Sequence, residues 1–177
     1  HLINLDAGPE GCMLVGSAGG GGVLISCPIQ WQPVTGQLMR LQISGLQGGH
    51  SRSEIDKERA NSIVLAGRLL NDLVYNKDAN LVYLRGGNKD NAIPREADMV
   101  FASKTNVEEL KKSLFNTEND IKIELEFSDA GFHMEFEPAE TESKKLTQAV
   151  SDAILDYAML MPNGFMHRSM AIEGLTL

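Results

Sequence analysis

Between residues 37 and 137 the hydrophobic pattern switches back and forth between the two-residue period of a strand and the 3.6-residue period of a helix, and the order of the switches leaves few folds open. From Gln37, Leu38, Arg40 and Gln42 alternate with Met39, Leu41 and Ile43, a half-buried strand that runs into Gly45 and Gly48-Gly49-His50-Ser51. A helix follows, with Ser53 as its cap and Asp56 three residues on. Ile55, Ile63, Val64, Gly67, Leu70, Leu73 and Val74 form one apolar stripe to about residue 76. Residues 81–85 and 98–103 read as two strands joined by the long loop 86–94. Thr105 with Glu108 then forms a capping box for a second helix, striped by Val107, Leu110, Leu114, Ile121 and Leu125 to about residue 126. Phe132, Met134 and Phe136 alternate in a further strand. After Pro138 a third helix is expected to bury Leu146, Ala149, Val150, Ala153, Ile154 and Tyr157 and to end before Pro162-Asn163-Gly164. Strand, helix, strand, strand, helix, strand is the split βαβ plan, so the expected class is α+β: a ferredoxin-like βαββαβ domain with helices covering an antiparallel sheet. Such a sheet keeps an open face or edge strand that a partner, a second copy or another domain can cover.

Composition narrows the function classes. The 177 residues are 42% hydrophobic and 23% charged, an ordinary globular balance. Sixteen Lys plus Arg against 24 Asp plus Glu give a net charge of -8, the wrong sign for nucleic acid or an anionic membrane surface. Neither partner is expected. No apolar run approaches the roughly 18 residues of a membrane span, and His1-Leu2-Ile3-Asn4 lacks the features of a signal peptide, which points to a cytoplasmic protein. Residues 1–35 read as short strands, 2–6, 12–17 and 23–29, broken by Gly19-Gly20-Gly21-Gly22; Cys12 and Cys27 fall in these runs and read as reduced core residues. Because the chain enters a strand at its second residue and stops in an apolar run, it reads as a segment of something longer.

Three residues carry candidate chemistry. Asp6 ends the first strand before Gly8-Pro9-Glu10-Gly11, where a carboxylate can serve as a metal ligand or simply as a turn residue; a zinc site needs three or four protein ligands, and no second one stands nearby. His50 follows two glycines ahead of a helix N-terminus. A neutral imidazole there can donate to a developing oxyanion, or it can be a solvated turn residue. Asn91 lies in the glycine-rich loop before Ala92-Ile93-Pro94, where its amide can hold a substrate carbonyl or brace an Asx turn. Glu54, Asp56, Lys57, Glu58 and Arg59 alternate in sign and read as a solvated helix face. The four-glycine run lacks the GxxxxGK[ST] and GxGxxG patterns and reads as a flexible turn.

Taken in order, Leu2-Ile3-Asn4-Leu5-Asp6, Gly16-Ser17-Ala18-Gly19-Gly20, Gly45-Leu46-Gln47-Gly48-Gly49-His50-Ser51, the run from Gly86-Gly87-Asn88 through Asn91-Ala92-Ile93-Pro94-Arg95-Glu96-Ala97, and Pro162-Asn163-Gly164 resemble the aminoacyl-histidine (Xaa-His, carnosinase-like) dipeptidases. These belong to a di-zinc metallopeptidase family that also holds carboxypeptidase G and tripeptidase types. The resemblance implies a catalytic domain with two zinc ions and an inserted lid of the ferredoxin-like plan. On this view residues 1–35 are the end of the catalytic part, 36–161 the lid, and 162–177 the start of the following segment. It further implies that Asp6 binds one zinc, that His50 binds the scissile carbonyl and stabilises the oxyanion, and that Asn91 binds substrate. The implied substrate is a dipeptide with C-terminal histidine, and the implied partners are the rest of the catalytic domain and a second copy of the chain.

The family's His-x-Asp motif, bridging aspartate, Glu-Glu pair and late ligand histidine are absent from these 177 residues, so this segment is not expected to hold zinc stably or to catalyse alone. Two other readings stand beside it. One is a stand-alone ferredoxin-like binding or dimerisation module without catalysis; the other is the lid of a related tripeptidase or carboxypeptidase.

Overall fold

The computed structural model describes residues 10–13 and 19–176. In chain order its elements are β1 (Trp31–Pro33), β2 (Gln37–Ser44), β3 (Gly49–His50), a single 3-10 turn (Ile55–Lys57), α1 (Ser62–Asn76), β4 (Asn80–Gly86), β5 (Ala92–Ile93), β6 (Ala97–Ser103), α2 (Val107–Glu124), β7 (His133–Pro138), β8 (Lys144–Leu146) and α3 (Gln148–Leu160). Strands β4, β6, β2 and β7 form one antiparallel sheet in that order, which is the expected βαββαβ arrangement. Strand β2 is central. Met39, Leu41 and Ile43 turn to the helical side and pack with Met99, Phe101 and Leu81, while Leu69, Leu70 and Leu73 of α1 and Leu110, Leu114 and Ile121 of α2 close the core from the helices. The Phe101 and Phe136 rings stack at 6.3 Å. On the opposite face Arg40 grips Asp98 with two hydrogen bonds of 2.8 and 3.1 Å, and the Tyr83 hydroxyl donates to the same carboxylate.

Several boundaries differ from the sequence expectation. Ser53 does not cap α1; residues after it make one 3-10 turn, and Asn61 is the cap, its side chain accepting from the Ile63 N–H at 2.9 Å. Both residues are good caps, but the segment between them is held by tertiary hydrogen bonds that a continuous helix would break. Asn106, not Thr105, caps α2 by accepting from the Glu109 N–H. Leu146 is buried in the short strand β8 and does not belong to the third helix. Starting at Gln148, α3 buries Val150, Ser151, Leu155 and Ala158 and leaves Ala149, Ala153 and Tyr157 exposed; the buried Ser151 hydroxyl accepts the Leu81 N–H.

The strands expected early in the chain fare differently. Residues 2–6 lie outside the described residues, as does most of 12–17, and residues 23–29 are exposed and form no strand. Cys12 and Cys27 are exposed free thiols instead of core residues, because the backbone around them pairs with nothing among the described residues. Strand β1 pairs with β8 a little further on. No helix among the described residues is long and apolar enough to cross a membrane.

The two candidate caps can be told apart by stability. Asn61→Ala should cost about 1 kcal/mol in denaturant unfolding, whereas Ser53→Ala should cost less than about 0.5 kcal/mol.

Candidate functional site

One end of the sheet gathers the loops that carry the candidate residues. Ile43 of β2 lies opposite Ala97 of β6, and Gly86 of β4 lies opposite the same Ala97, so the chain leaving β2 and the loop joining β4 to β6 emerge together. There they pair as a two-stranded ribbon: β3 with β5, with Gly49 opposite Ile93 and His50 opposite Ala92. The Ser51 N–H adds a hydrogen bond of 2.9 Å to the Asn91 carbonyl. His50 and Asn91, 41 positions apart in sequence, are thus brought together on the rim of one cleft of about 450 Å³, lined also by Gln47, Asn88, Lys89 and Arg95. Both residues are exposed.

Two glycines make this approach feasible. Gly48 has φ +63°, and Gly49 has φ +149° with a missing Cβ that would come 2.6 Å from the Arg59 guanidinium and 3.0 Å from the Glu54 carboxylate. Any side chain at 49 would push those two groups off the backbone they bind.

The imidazole is oriented by its own backbone. His50 Nδ1 faces the N–H groups of Arg52 at 3.1 Å and Ser53 at 3.4 Å, so it is an acceptor. The hydrogen-bond pattern therefore places the proton of the neutral ring on Nε2, leaving that N–H as the donor free for a ligand. Glu54 reinforces the position: its Oε2 accepts the His50 N–H at 2.9 Å, its Oε1 accepts Lys57 Nζ at 2.7 Å, and Arg59 stands at 3.4 Å while donating to the Gly48 carbonyl. The hydrogen bond from Lys57, followed by that from the His50 amide, holds the Glu54 carboxyl down to about 2 from its ordinary 4.5. Glu54 and Arg59 are thus braces of the histidine loop, not the solvated helix face expected from their alternating charges. That pattern is common to both arrangements and could not separate them.

A second cleft of about 600 Å³ adjoins the first across Ala92, Ile93 and Pro94. Its far wall is Asn163, Phe165 and Met166, and Asn163 accepts a hydrogen bond from the Asn61 amide. Asp6 lies outside the described residues. Among the described residues there is no group of three or more His, Cys, Asp or Glu side chains placed to hold a metal ion.

A four-stranded antiparallel sheet under helices, with a glycine-bound histidine loop at one end, defines an α+β domain of the split βαβ plan. Residues 41–121 match the family described as the peptidase dimerisation domain. The chain is 30% identical over 176 residues to the cytosol non-specific dipeptidase of Escherichia coli (strain K12), a match that covers 98% of this chain and 36% of the relative. Its fold superposes on the crystal structure of aminoacylhistidine dipeptidase from Vibrio alginolyticus with a TM-score of 0.74 and 28% identity, covering 82% of this chain and 31% of that one. The chain therefore spans about a third of the length of the relatives it matches.

Acid should loosen the histidine loop. Because the folded carboxyl titrates below its ordinary value, the Glu54 brace is fully present above about 4.5 and is lost as the pH falls towards about 2. The protection of the His50 amide against hydrogen exchange, taken relative to the intrinsic rate at each pH, should fall over that window, and Glu54→Gln should abolish that fall.

Proposed function

We propose that this chain is the lid and dimerisation part, with an adjoining stretch of the catalytic domain, of a zinc-dependent aminoacyl-histidine dipeptidase. The observation that carries the proposal is the joint placement of His50 and Asn91 by the β3–β5 ribbon, with the His50 Nδ1 already engaged by two backbone amides. The same assignment gives residues 1–35 to the catalytic part, 36–161 to the lid and 162–177 to the segment that follows. Exposure of Val23, Leu24, Ile25 and Ile29 supports the first boundary, because such a run calls for a covering surface that the described residues do not provide.

In this reading the Nε2–H of His50 donates to the carbonyl oxygen of the scissile peptide and holds the negative charge that develops when the carbon becomes tetrahedral. A neutral donor held by backbone geometry needs little reorganisation as that charge appears. Asn91 orients the substrate through its amide, and the shared cleft receives the dipeptide. Zinc would supply the activated water; Asp6 would be one ligand, and the others would come from outside these residues, so the segment alone would be inactive. A second copy would pair with this domain, with exposed Phe115 and Ile123 of α2 available to such a contact. The whole protein would act in the cytoplasm, as the word cytosol in the name of the Escherichia coli relative supports.

Substrate choice has two readings with different support. Dipeptides with C-terminal histidine, such as carnosine, follow from the motif succession and agree with the Vibrio alginolyticus relative. A broader dipeptide range agrees with the non-specific relative. Competition between carnosine and a dipeptide lacking histidine, assayed on the full-length protein, separates them.

The test of the His50 role is His50→Ala in that full-length protein. Its kcat for dipeptide hydrolysis should fall by roughly 10², as for loss of an oxyanion donor, with the melting temperature unchanged because the side chain is exposed. An unaltered kcat would remove His50 from the reaction.

A further inference from the structure

We infer that Asp129 is the positioning residue of the histidine loop, its buried carboxylate holding both ends of the segment that carries His50. The inference rests on the role given to His50 above. Asp129 is fully buried, with 0% of its surface exposed. Its Oδ1 accepts the Gln47 N–H at 2.8 Å and its Oδ2 accepts the Ala60 N–H at 2.9 Å. His50 lies between those two anchor points, and so do Glu54 and Arg59. The carboxylate is itself fixed by the backbone: the Asp129 N–H donates to the Leu125 carbonyl, and the Asp129 carbonyl accepts the Phe132 N–H, both at 2.9 Å. Residue 129 thereby joins the end of α2 and the start of β7 to the loop that presents the imidazole.

The chemistry requires a carboxylate. Two N–H groups, that of Ala60 buried and that of Gln47 partly so, converge from separate stretches of chain, and a side chain with an acceptor at each of two oxygens satisfies both. Asparagine has nearly the same shape but would set an NH₂ against one of the two amides, so it slackens one anchor while leaving the other. Glu54 and Arg59 brace the loop from within and cannot replace an anchor to the core. A donor that must meet an oxyanion tolerates an error of only about half an ångström, so slack at either end should be read out in the chemical step.

The experiment uses the full-length protein and four forms: wild type, Asp129→Asn, His50→Ala and the double variant. Asp129→Asn should lower kcat for a dipeptide roughly tenfold, with KM within about twofold. In the His50→Ala background the same change should alter kcat by less than about twofold, since no imidazole remains to be placed. Equal losses in both backgrounds, or no loss in either, overturn the positioning role while leaving His50 in the reaction. If His50→Ala alone has no effect, the reading of His50 fails and this inference fails with it. An Asp129→Asn protein that does not fold assigns the carboxylate to stability and likewise overturns the inference. A measurement on the unaltered protein stands apart from folding of variants: the Gln47 and Ala60 amides should be strongly protected from hydrogen exchange, and exchange as fast as that of open loop amides would refute the anchor.

Discussion

The backbone of residues 45–60 leaves the four-stranded sheet at the end of its central strand and must find hydrogen-bond partners outside that sheet. Strand β2 is saturated on both sides by β6 and β7, so the chain beyond Ser44 cannot remain in the sheet without displacing one of them. Buried amides without partners are costly. Here the partners come from side chains and from a neighbouring loop: Asp129 takes the Gln47 and Ala60 amides, Glu54 takes that of His50, Arg59 donates to the Gly48 carbonyl, and Asn91 and Ile93 complete the short β3–β5 pairing. A segment satisfied in this way has one geometry.

The antiparallel register decides which loops can meet there. Ile43, Gly86 and Ala97 lie in one row across the sheet, and Ser44 lies opposite His133, the first residue of β7. The ends of β2 and β4 and the beginnings of β6 and β7 therefore share one edge of the domain. Three connections converge on that edge: residues 45–61, residues 87–96 and residues 125–132. The first holds His50, the second Asn91 and the third Asp129. Of the three only residues 87–96 join neighbouring antiparallel strands, and a parallel crossover in their place would start β6 at the far end of the sheet, away from His50.

Much of this was legible in the sequence, and the parts that were not share a physical cause. The sheet strands and the stripes of α1 and α2 were readable because burial of one face imposes a period, and Met39, Leu41 and Ile43 or Leu110, Leu114 and Ile121 display it directly. His50 stood out because Gly48-Gly49 announces a sharp turn, and Asn91 because its loop is too long for a hairpin. The choice between Ser53 and Asn61 as the cap of α1 depended on tertiary bonds to residues 54–60, which intrinsic preference does not contain. Strand β8 is three residues long, too short to show a period, and its buried Lys145 argues against a strand until one sees the Nζ donate to Asn80. Asp129 sits in Ser128-Asp129-Ala130-Gly131, which reads as an ordinary polar turn. Its partners are backbone amides 82 and 69 positions away, and a backbone amide leaves no mark on composition.

The electrostatics of the loop fit a donor of no net charge held close to a fixed one. Glu54 puts a carboxylate beside the His50 backbone, which by itself would oppose an oxyanion approaching the ring. Lys57 and Arg59 offset it: one bonds the carboxylate directly at 2.7 Å, and the other stands between it and the Gly48 carbonyl. The negative charge is thus spent within the loop, on the amide and the two cations, while the ring turns Nδ1 inward to the Arg52 and Ser53 amides and keeps Nε2–H outward. Exchanging these tasks would fail. A lysine at position 50 would carry a flexible charge beside Lys57 and Arg59 and could accept neither amide. An asparagine could accept one of them but would present a shorter donor. Imidazole alone among the side chains accepts at one ring atom and donates at another about 2 Å away, and the local backbone uses the first property to aim the second.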